Sequence, residues 1–373
     1  INSMNVILVF TFGVSLKDWF ESGLLSREIR IYEEILQKED IQFSFITFGD
    51  ETDCKFINNP KIKILPAYKY LNKSNSKFLN FLKSFRLPFI LQKELNDVDL
   101  IKTNQLNGSW IGIILKQLIR KPLMLRTGYN AYEFKVLEKS SFFVKLFYKQ
   151  LTKLAYSKSD IFTVTSSSDK KSISKLCNNS EKLVLHRNYV TNLKYQDFNK
   201  RDKNKIISVG RLSKQKNYSQ LIKLFQNTNF EINIIGDGYQ KDYLIKLSDE
   251  KNCKLNLLGN FQNDKVQEMF KKFRFFFSTS LYEGNPKALL EAMSSGCIVF
   301  TTRNENSSEI IEDGENGFFI DENRDILGLI SNLNDNLNYA QEITKNAYKT
   351  IEKNYLLKKI VDDEINIYKS LIF

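Results

Sequence analysis

The chain has 373 residues and a formal net charge of +12, with 42% hydrophobic residues and 13% aromatic ones. At roughly 100–200 residues per domain this length predicts about two domains, and so much apolar and aromatic surface excludes a long disordered chain. Five prolines and 15 glycines exclude collagen-like repeats, four scattered cysteines without C-x-x-C exclude zinc-finger spacing, and a single histidine, His186, excludes two-histidine metal hydrolysis.

Residues 4–12 are apolar but far short of the ~18 needed to span a bilayer. They lack a basic leader and a small-residue cleavage site, so they read as a strand and not as a signal peptide. The run 6–10 is a buried strand ending at Gly13. Residues 26–36 have helical spacing, with Ile29, Tyr32, Ile35 and Leu36 on one face. Strands follow at 43–48 and 99–103, a helix at 110–119, and a strand at 122–125 that runs into Arg126-Thr127-Gly128-Tyr129. Residues 140–156 form an aromatic helix studded with lysines, and 160–165 and 182–185 complete the strands of this half. The polar stretch 192–204 loses the pattern and is the predicted linker. The pattern restarts with strands at 206–209, 231–235, 255–258, 275–278 and 298–301. Helices lie between them at 218–225, 266–273 and 286–294, and the tail from 338 to 368 is helical. Alternating strands and helices imply parallel sheets covered on both faces, in two tandem α/β halves.

Charge is uneven. Residues 1–190 carry 29 basic and 18 acidic side chains, whereas 191–373 carry 26 and 25. Within the first half, residues 61–126 hold 13 basic and three acidic ones. Such asymmetry marks a half that meets something anionic, or a solvated lysine-rich surface. No RNP, KH or zinc-finger signature supports nucleic acid as that partner. A reducing, cytoplasmic setting fits the cysteines, with the chain soluble or peripheral on the inner membrane face.

The chemistry concentrates in 280–296. Asn285 is a good N-cap, Pro286 suits the first helical position, and Gly296 suits the position past the helix end. The helix N-terminus then follows a strand and a glycine turn, where free amides and the dipole favour an anion. Glu283 stands just before the helix and Glu291 about two turns inside it. A second segment, 207–217, ends a strand in Gly210 and then places Arg211 and Lys216 in a loop. Arg grips a phosphate through two donors and Lys adds a point charge. If these loops meet at the carboxyl ends of parallel strands, the crevice suits a diphosphate flanked by hydroxyl-rich groups.

This arrangement resembles the retaining glycosyltransferases of family 4, which have the GT-B fold. The resemblance rests on Gly210-Arg211-Leu212 with Lys216, on Gly236-Asp237-Gly238, on Glu283 and Glu291 with seven residues between, and on the segment 308–317. It is strong over 205–320 and weaker over 4–190. It implies two Rossmann-like domains facing across a cleft. Residues 1–190 would form the acceptor domain, with a last helix of about 356–373 packing back onto it, and 191–355 the nucleotide-sugar domain. Arg211 and Lys216 would neutralise the leaving diphosphate. Glu283 would bind the donor sugar, aided by amides near Asn285, Pro286, Lys287 and Ala288, and Glu291 would bind the ribose. Gly13, Val14, Gly236, Gly238 and Gly259 would approach the donor. No metal or other cofactor is implied, because cations and a helix dipole can hold the leaving charge. The expected partners are a nucleotide-sugar donor, a glycan or lipid-linked acceptor and an anionic membrane surface, with no nucleic acid.

The family's usual N-domain histidine is missing. Arg126, Thr127 or Tyr129 would supply the contact, and His186 reads as a structural hydrogen-bonder. Trp19 and Glu21 are further candidates on the acceptor side. Around 139–158, core burial of Phe142, Phe143, Phe147 and Tyr148 competes with their lying against a membrane. A sugar phosphorylase or sugar-nucleotide epimerase on the same fold, or a non-catalytic nucleotide or nucleic-acid binder, are the alternative readings.

Overall fold

The computed structural model describes residues 3–95, 97–191, 198–284, 286–321 and 323–373. It divides into two units, Ile1–His186 with Val361–Phe373, and Arg187–Ile360.

The first unit is built on a parallel sheet of β1 (Met4–Val9), β2 (Ile41–Thr47), β3 (Ile62–Pro66), β4 (Leu100–Thr103), β5 (Leu123–Thr127), β6 (Ile161–Val164) and β7 (Leu183–Leu185), in the order β3-β2-β1-β4-β5-β6-β7. These strands are short apolar runs because helices cover both faces of the sheet: Val6 to Phe10 and all of Leu100 to Thr103 are buried. The second unit repeats the plan with β8 (Asp202–Val209), β9 (Glu231–Ile235), β10 (Lys254–Leu257), β11 (Phe273–Ser278), β12 (Ile298–Thr301) and β13 (Phe318–Phe319), ordered β10-β9-β8-β11-β12-β13. Both are doubly wound Rossmann-like sheets. In each, the order reverses beside the first strand, which opens a crevice at the carboxyl ends.

The apolar runs found in the sequence lie in these strands. Edge strand β3 escaped that reading because Lys63 and a terminal proline interrupt a five-residue run. Of the predicted linker, 192–197 lie outside the described residues. Residues Asp202 to Asn204 are already strand: Asp202 pairs with Phe273, and its amide donates to Lys272 O at 2.8 Å. Their polarity reflects the exposed start of β8.

The final helix, Leu357–Ile372, begins in the second unit and enters the first at Val361. There Glu364 pairs with Lys102 of β4, both fully buried. Tyr368 donates to the same carboxylate, His186 Nε2 stands 3.5 Å from it, and the Tyr32 ring lies 4.9 Å from the Lys102 ammonium. His186 is thus a buried structural residue of this cluster.

Candidate active site

In the second unit three loops leave the carboxyl ends of β8, β9 and β11. The first two touch through backbone. Gly210 N donates to Ile235 O at 2.9 Å and Leu212 N to Asp237 O at 3.0 Å, while Gly236 N donates to Gly259 O, just past β10, at 2.8 Å. A Cβ on Gly236, at φ +144°, would stand 2.1 Å from Gly210 O, so no side chain fits there. Gly236→Ala is expected to cost about 1–3 kcal/mol in backbone strain alone and to push the Arg211 loop out of place. Gly259→Ala, at φ +72°, carries backbone strain too but its added Cβ meets nothing within 4 Å, so it is the control for strain without a clash. Thermal melting and nucleotide affinity of the two variants check this; equal effects would refute the steric argument.

The first and third loops are stitched together. Thr279 Oγ1 donates to the carbonyls of Lys216 and Asn217, each at 3.0 Å. Leu281 N donates to Gln215 O at 2.9 Å, and Gln215 Nε2 returns a bond to Tyr282 O at 2.9 Å. Beneath them Tyr218 is buried, its hydroxyl donating to Gly210 O at 3.2 Å. Burial pushes the Tyr218 phenol above its ordinary pKa, so it stays protonated and keeps donating.

This framework brings Lys216 and Glu283 into an ion pair, with the two side chains 21% and 11% exposed. The pair is shielded but open on one side. Arg211 is exposed beside it in sequence and makes no side-chain hydrogen bond or ion pair among the described residues. Asn306 Nδ2 donates to Glu283 O at 2.6 Å, a support that nothing in its polar surroundings had signalled.

The helix after Glu283 runs Lys287–Ser294. The expectation of Asn285 as N-cap and Pro286 as first helical residue is corrected: Pro286 occupies the cap position, with no side-chain cap bond, and Asn285 lies outside the described residues. Proline has the fixed φ but no hydroxyl or amide to cap with. Lys287 and Ala288 open the helix. Its far end is as predicted, with Gly296 at φ +81° just past the last turn. The Gly296 amide donates to Met293 O at 3.1 Å and Cys297 N to Ala292 O at 3.0 Å, which closes a Schellman motif. Glu291 is 4% exposed and accepts from Asn263 Nδ2 at 3.2 Å, so a structural partner already orients it.

In the first unit a cavity of about 510 Å³ lies beyond the carboxyl ends of β1, β2 and β3, lined by residues that include Phe12, Gly13, Glu21, Asp50, Tyr68 and Lys73. Asp53 pins its wall. This buried carboxylate accepts from Leu16 N at 3.1 Å, Lys17 N at 3.2 Å and Thr47 Oγ1 at 2.6 Å, tying the loop after β2 to the helix after β1. Hydrogen bonds from Thr52 hold Asp50 below the usual carboxylate range, and burial with the Asp18 charge pushes the Tyr68 phenol up. The cavity therefore offers an ionised carboxylate and neutral hydroxyl donors.

The other first-unit candidates are placed differently. Val14 is tied to its own loop, its amide donating to Thr11 O at 3.0 Å and its carbonyl accepting from Phe48 N at 3.1 Å. Trp19 is buried, stacked 4.4 Å from Phe10. Thr127 is buried, and its hydroxyl donates to Tyr129 O at 2.6 Å, so it shapes the turn and has no proton left to offer. Tyr129 packs its ring 4.5 Å from Phe134. Arg126 is half-buried, with its guanidinium 3.5 Å from Asn104 O. The missed cavity residues, Asp50, Tyr68, Lys73, Lys77 and Asn80, carry no motif; only the strand ends converging there reveal them. Among the described residues no group of three His, Cys, Asp or Glu side chains is arranged to hold a metal ion.

Residues 191–350 match the family described as glycosyl transferases group 1. The matched segment falls within the second unit. Its paired cation and carboxylate lie in that matched segment, as do all three loops. The chain is 34% identical over 168 residues to an N-acetylgalactosamine-N,N'-diacetylbacillosaminyl-diphospho-undecaprenol 4-alpha-N-acetylgalactosaminyltransferase of Campylobacter jejuni, which covers 43% of this chain and 45% of that protein. It thus spans under half the length of that relative. It is 26% identical over 345 residues to an uncharacterized glycosyltransferase of Methanocaldococcus jannaschii, covering 86% of this chain and 85% of that one. The solved structure of Anabaena HepE in complex with UDP-glucose superposes with a TM-score of 0.76 at 15% identity, covering 99% of this chain and 100% of that chain. That likeness shows the expected GT-B fold outside the matched segment as well as within it.

Proposed function

We propose that the chain is a retaining glycosyltransferase that moves a sugar from a nucleoside-diphosphate donor to a hydroxyl acceptor during assembly of a cell-surface glycan. The observation that carries this reading is the mostly shielded Lys216–Glu283 pair, held by two interlocked loops, the first of which also carries Arg211, without a hydrogen-bond or ion-pair partner among the described residues. An ammonium has three donors, so Lys216 can face a phosphate oxygen while keeping Glu283. Arg211 supplies a second, forked cation to the same diphosphate. Glu283 then presents its remaining lone pairs to the donor sugar's hydroxyls. Glu291, oriented by Asn263, receives the ribose, and the first amides of Lys287–Ser294 add positive potential.

The bond from the anomeric carbon to the diphosphate oxygen breaks, and a bond to the acceptor oxygen forms on the same face. The acceptor's proton passes to the departing phosphate oxygen. The two cations carry the developing charge, so no metal is required by this scheme. The first unit's cavity suits the acceptor. Aromatic walls at Phe12, Phe48 and Tyr68 can stack on sugar faces, and Asp50, Lys73 and Asn80 can bond hydroxyls. The name of the Campylobacter relative, which acts on a diphospho-undecaprenol-linked sugar, supports a lipid-linked acceptor.

A thermal-shift screen against nucleoside-diphosphate sugars tests the reading. A donor at a hundredfold excess over its Kd raises stability by about 2.7 kcal/mol. NMR of the glycoside formed with the responding donor should show retained configuration, with turnover unchanged by a chelator. Absence of any nucleotide response, or inversion at the anomeric carbon, would overturn it.

A further inference from the structure

The helix Phe142–Lys158 carries the side chains whose burial competed with membrane contact in the sequence. The structure divides them: Tyr148 is half-buried and packs against the core, whereas Phe143 is 80% exposed, Phe142 69%, and Val144, Leu146, Phe147 and Leu154 are exposed as well. At ~100° per residue Phe142, Phe143, Leu146, Phe147 and Leu154 fall within an arc of ~140°. Leu151, Thr152, Ala155 and Tyr156 face the core. Lys145, Lys149 and Lys153 form a row along one edge of the exposed arc, running from ~60° outside that edge to ~20° inside it. This helix therefore has a second apolar stripe, edged by cations, that stays exposed among the described residues.

A neighbouring helix extends the stripe. Lys77–Ser84 leaves Phe78 66% exposed, with Leu79 and Leu82 exposed beside it. The two helices meet through Phe81 and Phe147, whose ring centroids are 6.2 Å apart. Just after it, Leu87–Leu91 exposes Phe89 and Ile90. Soluble surfaces rarely gather so many large apolar groups, and such patches mark contact sites. Charge selects the partner. Segments 72–95 and 130–158 together carry 11 lysines and arginines against three carboxylates. An apolar stripe rimmed by cations matches the acyl boundary and headgroups of an anionic leaflet.

We propose that this face of the first unit docks the protein peripherally on an anionic lipid bilayer. Phe142, Phe143, Phe78 and Phe89 enter the headgroup boundary, and the lysine row meets the lipid phosphates. The inference stands apart from the reading of the second unit, since it needs no donor and no turnover. It also bears on the acceptor: Lys77 and Asn80 of the docking helix line the first unit's cavity.

The full chain is sedimented with phosphatidylcholine vesicles and with vesicles that also contain phosphatidylglycerol, at low and high salt. Wild-type protein should partition onto the anionic vesicles, with little on the neutral ones, and should be released as salt screens the lysines. The double variant Phe142→Ser with Phe143→Ser should bind at least about tenfold more weakly while melting as wild type does, because both rings are exposed. The triple variant Lys145→Glu, Lys149→Glu, Lys153→Glu should lose the preference for anionic lipid. No binding to either vesicle at low salt, or equal binding by wild type and the phenylalanine variant, would refute the proposal. So would self-association that the phenylalanine variant abolishes, in a chain that ignores vesicles; the stripe would then join two copies.

Discussion

Replacing Lys216 by alanine should lower turnover by about 10²–10³-fold, equivalent to ~3–4 kcal/mol of transition-state stabilisation. The size follows from placement. A cation in bulk solvent is screened, whereas this one is mostly shielded and held against Glu283 by a loop with four hydrogen bonds to its neighbour. It needs no reorganisation when charge develops on a leaving diphosphate. The fold should survive, at a cost of about 1 kcal/mol, because Glu283 keeps access to water on its open side. Arg211→Ala separates function from stability further. That exposed side chain has no hydrogen-bond or ion-pair partner among the described residues, so melting should shift by less than ~0.5 kcal/mol while turnover falls as for Lys216. Steady-state kinetics beside thermal melts provide the check. Normal turnover in both variants would remove the loops from the chemistry.

Glu364→Gln should be the most destabilising conservative change in the first unit, by about 3–5 kcal/mol, because it leaves Lys102 buried with no counter-charge. Burial alone would raise the Glu364 carboxyl, but the Lys102 ammonium, His186 and the hydrogen bonds from Lys102 and Tyr368 outweigh it and hold it at about 2. Burial also draws Lys102 below its ordinary value, against the pull of Glu364. The pair is therefore worth less than the carboxylate's shift alone suggests, while breaking it costs more than it is worth. The pH dependence has a definite sign. A carboxyl depressed from 4.5 to about 2 contributes stability that is complete above the unfolded value and lost as pH falls from 4.5 towards 2. Wild type should lose stability through that window, and Glu364→Gln should show a flatter acid limb from a lower start. The double variant Lys102→Met with Glu364→Met should recover much of the loss, since an apolar pair of similar volume removes both desolvation costs. Denaturant titrations from pH 2 to neutrality decide the matter. Equal stability of Glu364→Gln and wild type at pH 7 would mean that the cluster contributes nothing.

Much of the second unit is legible in its sequence. Strands at 231–235 and 298–301 match β9 and β12 to the residue. The loops that begin at Gly210 and Gly236 and the one that carries Glu283 stand where a ligand site in a doubly wound sheet must stand. That legibility has a local cause. A parallel strand is buried on both faces, so it reads as an unbroken apolar run, and the turn that exposes its carboxyl end needs glycine. The Lys216–Glu283 contact could be anticipated because topology alone brings the ends of β8 and β11 together.

Other features depended on contacts between distant parts of the chain. An amphipathic pattern states that a helix has an apolar face, not whether anything covers it; Phe142 and Phe143 read the same whether buried or bare. Lys102 and Glu364 are 262 positions apart, and neither has a neighbour in sequence that marks it for burial. Asp53 looks like any surface aspartate until three donors converge on it. Sequence thus determined the strands, the turns and the charges at their ends, all set by local sterics and burial. Which faces stay open and which charges are drawn into the core came only with the tertiary structure, because both are properties of pairs that the chain must fold to bring together.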